Sequence, residues 1–183
     1  MDITYIFSQV FVVITYALLM ATYLAKSKRS IVLLCSISLV TNATAYILLG
    51  AWTGLAMCTI AMLRNLYILW DEKKYGKSKK IRKKDVVFLI IVLIAIVLVT
   101  IPTYNGFLSL WSVFATALYT FSIWQKSTRI YKFCGIPVGI LWIFYNWYVK
   151  SFFGVILEFA LLIVSTIGYI SEVKKSKKKT TKK

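Results

Sequence analysis

The chain has 183 residues, 60% of them hydrophobic, with 23 Lys and Arg against 6 Asp and Glu and a formal charge of +17. A soluble domain of this length cannot hide so much apolar surface. The basic residues lie beside long apolar runs, which argues against nucleic acid as their partner, and the absence of His removes the usual general base and the commonest metal ligand, so no enzyme is expected.

Crossing a bilayer takes about 20 mainly apolar residues. Seven runs fit, and in chain order they are Ile3 to Ala25, Ser30 to Leu49, Ala51 to Trp70, Asp85 to Ile101, Phe107 to Gln125, Ile130 to Tyr148 and Ser151 to Ile170. Helix is required in lipid because each span must satisfy its own backbone polar groups. The first run opens Met1-Asp2-Ile3, with no basic leader and no small-residue cleavage site, and is read as a span. Lys26, Lys28 and Arg29 follow it. The second and third runs meet at Gly50, which predicts a tight hairpin. Lys73 to Lys84 come next, then the fourth run and an uncharged gap from Pro102 to Gly106. Lys126, Arg129 and Lys132 follow the fifth run. Lys150 alone separates the sixth from the seventh, and Lys174 to Lys183 close the chain. Cytoplasmic loops carry the excess Lys and Arg. The alternation therefore predicts a multi-pass integral membrane protein, its N-terminus outside and its C-terminus in the cytoplasm.

Shifted by one hundred residues without a gap, the chain matches itself. Phe7 meets Phe107, Ala17-Leu18 meets Ala117-Leu118, and Lys26-Ser27-x-Arg29 meets Lys126-Ser127-x-Arg129. Gly54 meets Gly154, and Glu72 meets Glu172. The predicted fold is thus all-α, seven transmembrane helices in a 3+1+3 parallel-repeat arrangement. Residues 1–70 form the first triple-helix repeat, and 71–106 a basic cytoplasmic loop and linker helix. Residues 107–173 form the second repeat, and 174–183 a basic tail. Transporters built from parallel repeats place solute between them near the midplane.

Few residues break the apolar runs. Glu158 lies roughly 11–13 Å into its span, where a carboxylate is expensive and faces a bundle interior or a wet cavity. Arg64, in the corresponding span of the first repeat, is the candidate partner. It could also snorkel toward the cytoplasmic face. Asn42, Asn65 and Asn146 are mid-span amides, suited to interhelical hydrogen bonds or to a polar ligand. Trp142, Tyr145 and Asn146 share one region of a helix surface, where an aromatic plane and an amide suit a flat or sugar-like ligand. Pro137 removes a backbone donor and is a candidate hinge. Gly50-x-x-x-Gly54 and Gly135-x-x-x-Gly139 predict close helix approach. Cys35, Cys58 and Cys134 read as small apolar filler, with no metal-ligand spacing. No cofactor or metal is expected.

Gly50-Ala51-Trp52-Thr53-Gly54 and Leu63-Arg64-Asn65-Leu66-Tyr67 resemble the third span of the YgjV-like bacterial inner membrane proteins. Ile123-Trp124-Gln125-Lys126, Leu141-Trp142-Ile143-Phe144-Tyr145-Asn146 and Val149-Lys150-Ser151-Phe152-Phe153-Gly154 with Glu158 are similar to that family's second half. More distantly, the chain resembles the triple-helix-bundle superfamily of SWEET facilitators, PnuC vitamin transporters and PQ-loop proteins. That resemblance implies the three-one-three plan. The Pro-Gln dipeptide is absent, and Pro137 faces Ile37 across the repeat, so paired hinge prolines are not implied. Two readings follow. One is a facilitator or proton-linked carrier of a small polar solute. The other is a membrane receptor, assembly factor or interaction scaffold. The expected partners are the bilayer, anionic lipids through the Lys-rich loop and tail, and a small polar solute. A homo-oligomer is compatible with either reading.

Overall fold

A computed structural model describes residues 3–50, 52–75, 81–103, 109–125, 127–148 and 152–180. The described elements are all helical: α1 (Ile3–Leu24), α2 (Lys28–Leu48), α3 (Trp52–Tyr75), α4 (Lys83–Thr100) with a 3-10 turn at Ile101–Thr103, α5 (Ser109–Trp124), α6 (Thr128–Tyr148) and α7 (Phe152–Thr180).

Local chemistry sets the ends. Ser27 is extended and its Oγ accepts a hydrogen bond from the Ser30 amide at 3.1 Å, so α2 starts at Lys28. α2 closes where Leu49 N–H donates to the Ala45 carbonyl. Gly50 follows with φ of 65°, a left-handed conformation that glycine takes without a steric penalty, and it turns the chain into α3. Gly50 therefore makes the expected hairpin, and it is not a helix-contact residue, since a Cβ there would meet nothing within 4 Å. Gly54 lies on α3, with its side-chain position outside the described set. Both α3 and α7 run past their expected spans, α7 into the lysine-rich end. Lys and Ser carry only small helix penalties, and no Gly or Pro stops the helix after Gly168.

The helices pack in sequence. α2 lies against α1 and α3, and α6 against α5 and α7. α4 touches α3 and α5, and α1 packs on α7. Two glycines permit the closest approaches. A Cβ on Gly135 of α6 would overlap the Tyr23 ring, and one on Gly168 of α7 would overlap the Tyr23 carbonyl. A Cβ on Gly139 would only reach ordinary contact with Leu162, at 3.5 Å. Boundaries recur at a spacing of one hundred. α1 ends at Leu24 and α5 at Trp124, α2 spans Lys28–Leu48 and α6 Thr128–Tyr148, and α3 and α7 begin at Trp52 and Phe152. Burial recurs in the same register at Thr22 and Ser122, Ile31 and Tyr131, Cys58 and Glu158, and Asn65 and Ser165.

The distribution of polarity is inverted relative to a water-soluble protein. Ile156, Phe159, Ile163 and Ile167 form an exposed stripe on α7, and Ile90, Ile94 and Leu98 another on α4. Ser8, Thr15, Thr22, Ser38, Asn65 and Glu158 face inward. Apolar side chains outside and hydrogen-bonded polar ones inside suit a hydrocarbon solvent. Among the described residues, three helices are long and apolar enough to cross a membrane: Ile3–Leu24, Lys28–Leu48 and Val155–Ser176 within α7. Of the others, α4 opens with three charged residues, Lys83, Lys84 and Asp85, and described α5 has 16 residues.

One ionic cluster joins α3 to α4. Asp85 accepts from the Arg82 backbone N–H at 3.0 Å and from its guanidinium at 3.1 and 3.2 Å. Arg82 also pairs with Asp71, and Lys84 Nζ lies 3.2 Å from the other Asp71 oxygen. The Trp124 indole N–H donates to the Asp85 carbonyl at 3.0 Å, tying the end of α5 to the start of α4.

Candidate functional site

The site grows from a seven-residue repeat on α1. Ser8, Thr15 and Thr22 are buried, two turns apart on one face, and each hydroxyl donates to a carbonyl of the preceding turn. Tyr16 and Tyr23 lie beside them at the same spacing. Tyr16 reaches α7, where its hydroxyl donates to Glu158 Oε1 at 2.9 Å. Glu158 is 5% exposed, and its Oε2 has no hydrogen-bond partner. A carboxyl group thus sits where α1 meets α7, with one oxygen occupied and the other open.

A second polar centre lies among α1, α2, α3, α5 and α6. Tyr23 stacks on Tyr131 at 5.1 Å between centroids, and Tyr119 meets Tyr131 edge-on at 6.1 Å. The Thr22 and Tyr131 hydroxyls are 2.7 Å apart. Cys35 Sγ is 3.0 Å from the Tyr119 hydroxyl and 3.7 Å from that of Tyr131. Arg64 enters from α3. Its Nε and one terminal nitrogen donate to Asn65 Oδ1 at 3.2 and 3.1 Å, and the other terminal nitrogen to Thr120 Oγ1 at 2.9 Å. Its guanidinium carbon lies 5.6 Å from the Tyr119 ring centroid. The Asn65 amide donates onward to Ser36 Oγ at 3.3 Å. Lys28 lies over the Tyr131 ring at 5.3 Å and donates to the Ser122 carbonyl at 3.4 Å.

This interior, wrapped in apolar faces, is that of a membrane protein, and the comparison with protein families agrees. Residues 6–176 match the YgjV family, described as bacterial inner membrane protein. The chain belongs to that family. No curated protein and no solved structure matches it. As a YgjV-family member it is a bacterial inner membrane protein, embedded in and contacting the lipid bilayer.

The family's sequence signals map onto this interior unevenly. Glu158, Arg64 and Asn65 are buried as expected. The expected Glu158–Arg64 ion pair is not formed, because Tyr16 takes Glu158 while Asn65 and Thr120 take Arg64. Arg64 is 3% exposed, so it does not snorkel outward. Asn42 sits apart, its amide donating to Cys58 Sγ at 3.6 Å. Trp142 and Tyr145 pack edge-to-face at 5.5 Å on α6, outside the Arg64 network. The side chain of Asn146 lies outside the described set. Pro137 sits inside α6, where the Phe133 carbonyl loses its helical donor. Among the described residues, no group of three His, Cys, Asp or Glu side chains gathers as metal ligands.

Several interior residues escaped the sequence reading. Lys28 and Lys132 are counted there as loop cations. Lys132 is 1% exposed and lies 3.4 Å from Glu172 Oε2, with Thr128 donating to the other Glu172 oxygen at 3.3 Å. Tyr16, Tyr23, Tyr119 and Tyr131 lie inside long apolar runs and are not singled out there. The signal that could have found the α1 pair is the spacing of Ser8, Thr15 and Thr22, a polar stripe in an otherwise apolar helix.

Proposed function

We propose that the protein is a seven-span carrier of a small polar solute. Two parallel triple-helix repeats are joined by α4, and the basic ends of the helices lie in the cytoplasm. The recurring helix ends at Leu24 and Trp124 and at Leu48 and Tyr148 support the duplication. So do the matching buried positions, and Thr22 and Ser122, whose hydroxyls both donate to the carbonyl three residues back at 2.6 Å. The excess of Lys and Arg at alternate connections supports the orientation.

One observation carries the transport reading. Glu158 is buried where α1 meets α7, held by Tyr16 on one oxygen and open on the other. In this reading α1 belongs to the first repeat and α7 to the second, so the open oxygen lies at their junction. It accepts a proton or a donor on the solute, and Pro137 in α6 supplies the hinge. In this reading Asn65 and Trp142 are further candidates for contact with the solute.

The test is uptake into proteoliposomes of pooled labelled organic acids, amino acids, sugars and nucleosides, with and without an inward proton gradient. Wild-type protein is expected to show gradient-driven uptake of at least one class, and Glu158→Gln to abolish it with an unchanged unfolding temperature. Gradient-driven uptake that survives Glu158→Gln, or none of any class, sinks the reading. The second reading, a partner-binding scaffold, is favoured by the tight stacking of Tyr23 on Tyr131. It predicts no uptake by either protein.

A further inference from the structure

Arg64 and Lys28 lie against aromatic rings, and among the described residues neither forms an ion pair with a carboxylate. Arg64 is 3% exposed, yet the groups facing it are phenols, a thiol, a hydroxyl and an amide oxygen. A guanidinium has five N–H donors in a rigid fork, and the three bonds to Asn65 and Thr120 leave two unused. Lys28 donates only to the Ser122 carbonyl and lies on the Tyr131 ring. Glu72 is within its electrostatic reach but forms no ion pair with it. The two cations rest on tyrosines whose rings meet edge-to-face at 6.1 Å between centroids. Lys28 is also the first residue of α2, whose N-terminal amides add partial positive charge.

Buried charges are expensive unless paired. Ring faces and neutral oxygens offset part of that cost, and two neighbouring cations raise it again. An anion between them would remove the repulsion and use the spare donors. Arg in particular matches carboxylate and phosphate oxygens in a two-point geometry.

We propose that Lys28 and Arg64, backed by Tyr119 and Tyr131, form a binding site for an oxyanion, the carboxylate or phosphate group of a small molecule or of a lipid headgroup. Arg64 supplies the oriented donors, Lys28 the second charge, and the tyrosine pair holds both cations in place. The site is independent of the carrier reading, which rests on Glu158. Binding is measured without transport, so either can fail alone.

The experiment follows thermal unfolding of the full chain in nanodiscs. In phosphatidylcholine discs, inorganic phosphate and succinate are titrated against chloride at constant ionic strength. A parallel set of discs contains phosphatidylglycerol. If the anion is a free small molecule, phosphate or succinate raises the unfolding temperature by about 5 °C at saturation. If it is a headgroup, phosphatidylglycerol gives the rise and added phosphate or succinate then adds nothing. In either case Lys28→Gln should weaken the effect about tenfold in midpoint concentration or lipid fraction. Arg64→Gln should remove it, and Arg129→Gln, at an exposed position on α6, should leave it intact. No stabilisation in any arm overturns the site. So does stabilisation of equal size in wild type and Lys28→Gln, which would report general attraction to basic loops. Lys28→Gln keeps the interior packing, so the result stands even if Arg64→Gln fails to fold.

Discussion

At the junction of α3 and α4, Arg82 and Lys84 meet Asp71 and Asp85. Inside the bundle, Arg64 and Lys28 meet aromatic faces, hydroxyls and a backbone carbonyl. The first arrangement is a closed set of opposite charges, two carboxylates against two cations, and it does a structural job. It fixes the start of α4 against the end of α3 through a carboxylate that also accepts from a first-turn backbone donor. Hydrogen bonding to Asp85, then to Asp71, raises the Arg82 pKa above its usual value. The sign of that shift means its contribution is complete below the unfolded value and is lost only in strong alkali. The second arrangement is open, its two cations forming no ion pair among the described residues. Neutralised charge marks a joint, and the open pair is where the proposed anion would add the missing bond.

The comparison can be broken most directly at the joint. Asp85→Ala removes the acceptor of the Arg82 backbone and guanidinium at the start of α4 and leaves Arg82 paired with Asp71 alone. The loss of a buried carboxylate that accepts three hydrogen bonds should cost about 3 kcal/mol in unfolding followed by tryptophan fluorescence in mild detergent. Combined with Arg82→Ala, the loss should be smaller than the sum of the two single losses, because both remove the same Arg82–Asp85 bonds. Additive losses would mean that the ion pair contributes nothing.

Arg64→Gln should cost less, under about 2 kcal/mol, because it removes donors from Asn65 and Thr120 without stranding a carboxylate. A loss matching that of Asp85→Ala would erase the distinction between the two regions. The smallest effect belongs to Tyr119→Phe, which keeps the ring beneath Arg64 and deletes the hydroxyl next to Cys35. It should stay within about 1 kcal/mol. A larger loss, with Tyr131→Phe harmless, would move the weight of the site from the ring faces to the hydroxyl.

These two regions were legible in the sequence to different degrees. Asp71, Arg82 and Asp85 sit in a polar segment, and nothing in their spacing tells which cation meets which acid. Arg64, Asn65 and Glu158 were legible because a polar residue deep in an apolar run must find company. The partners they found were not. Tyr16 and Tyr119 carry one hydroxyl on a large apolar body, so a hydropathy reading sees the body and misses the bond. Lys28 misled in another way. One turn of helix, capped by Ser27, carries it from the predicted loop back over Tyr131. Helix number and type followed from run length, while the extra turns of α3 and α7 did not, since charged residues extend a helix into water as readily as they end a span.

The passage of Gly168 across Tyr23 has a mechanical consequence. With no side chain between them, the α7 backbone lies directly on the α1 carbonyl, and that crossing is a fulcrum. On one arm, ten residues or about 15 Å away, stands Glu158. On the other, twelve residues or about 18 Å away, the helix reaches its lysine-rich end at Thr180. A rod with arms of nearly equal length returns a displacement at one end as an opposite displacement of similar size at the other. Any force on the lysines, from a charged surface or a bound protein, would therefore be felt at the carboxyl group without passing through the intervening helices.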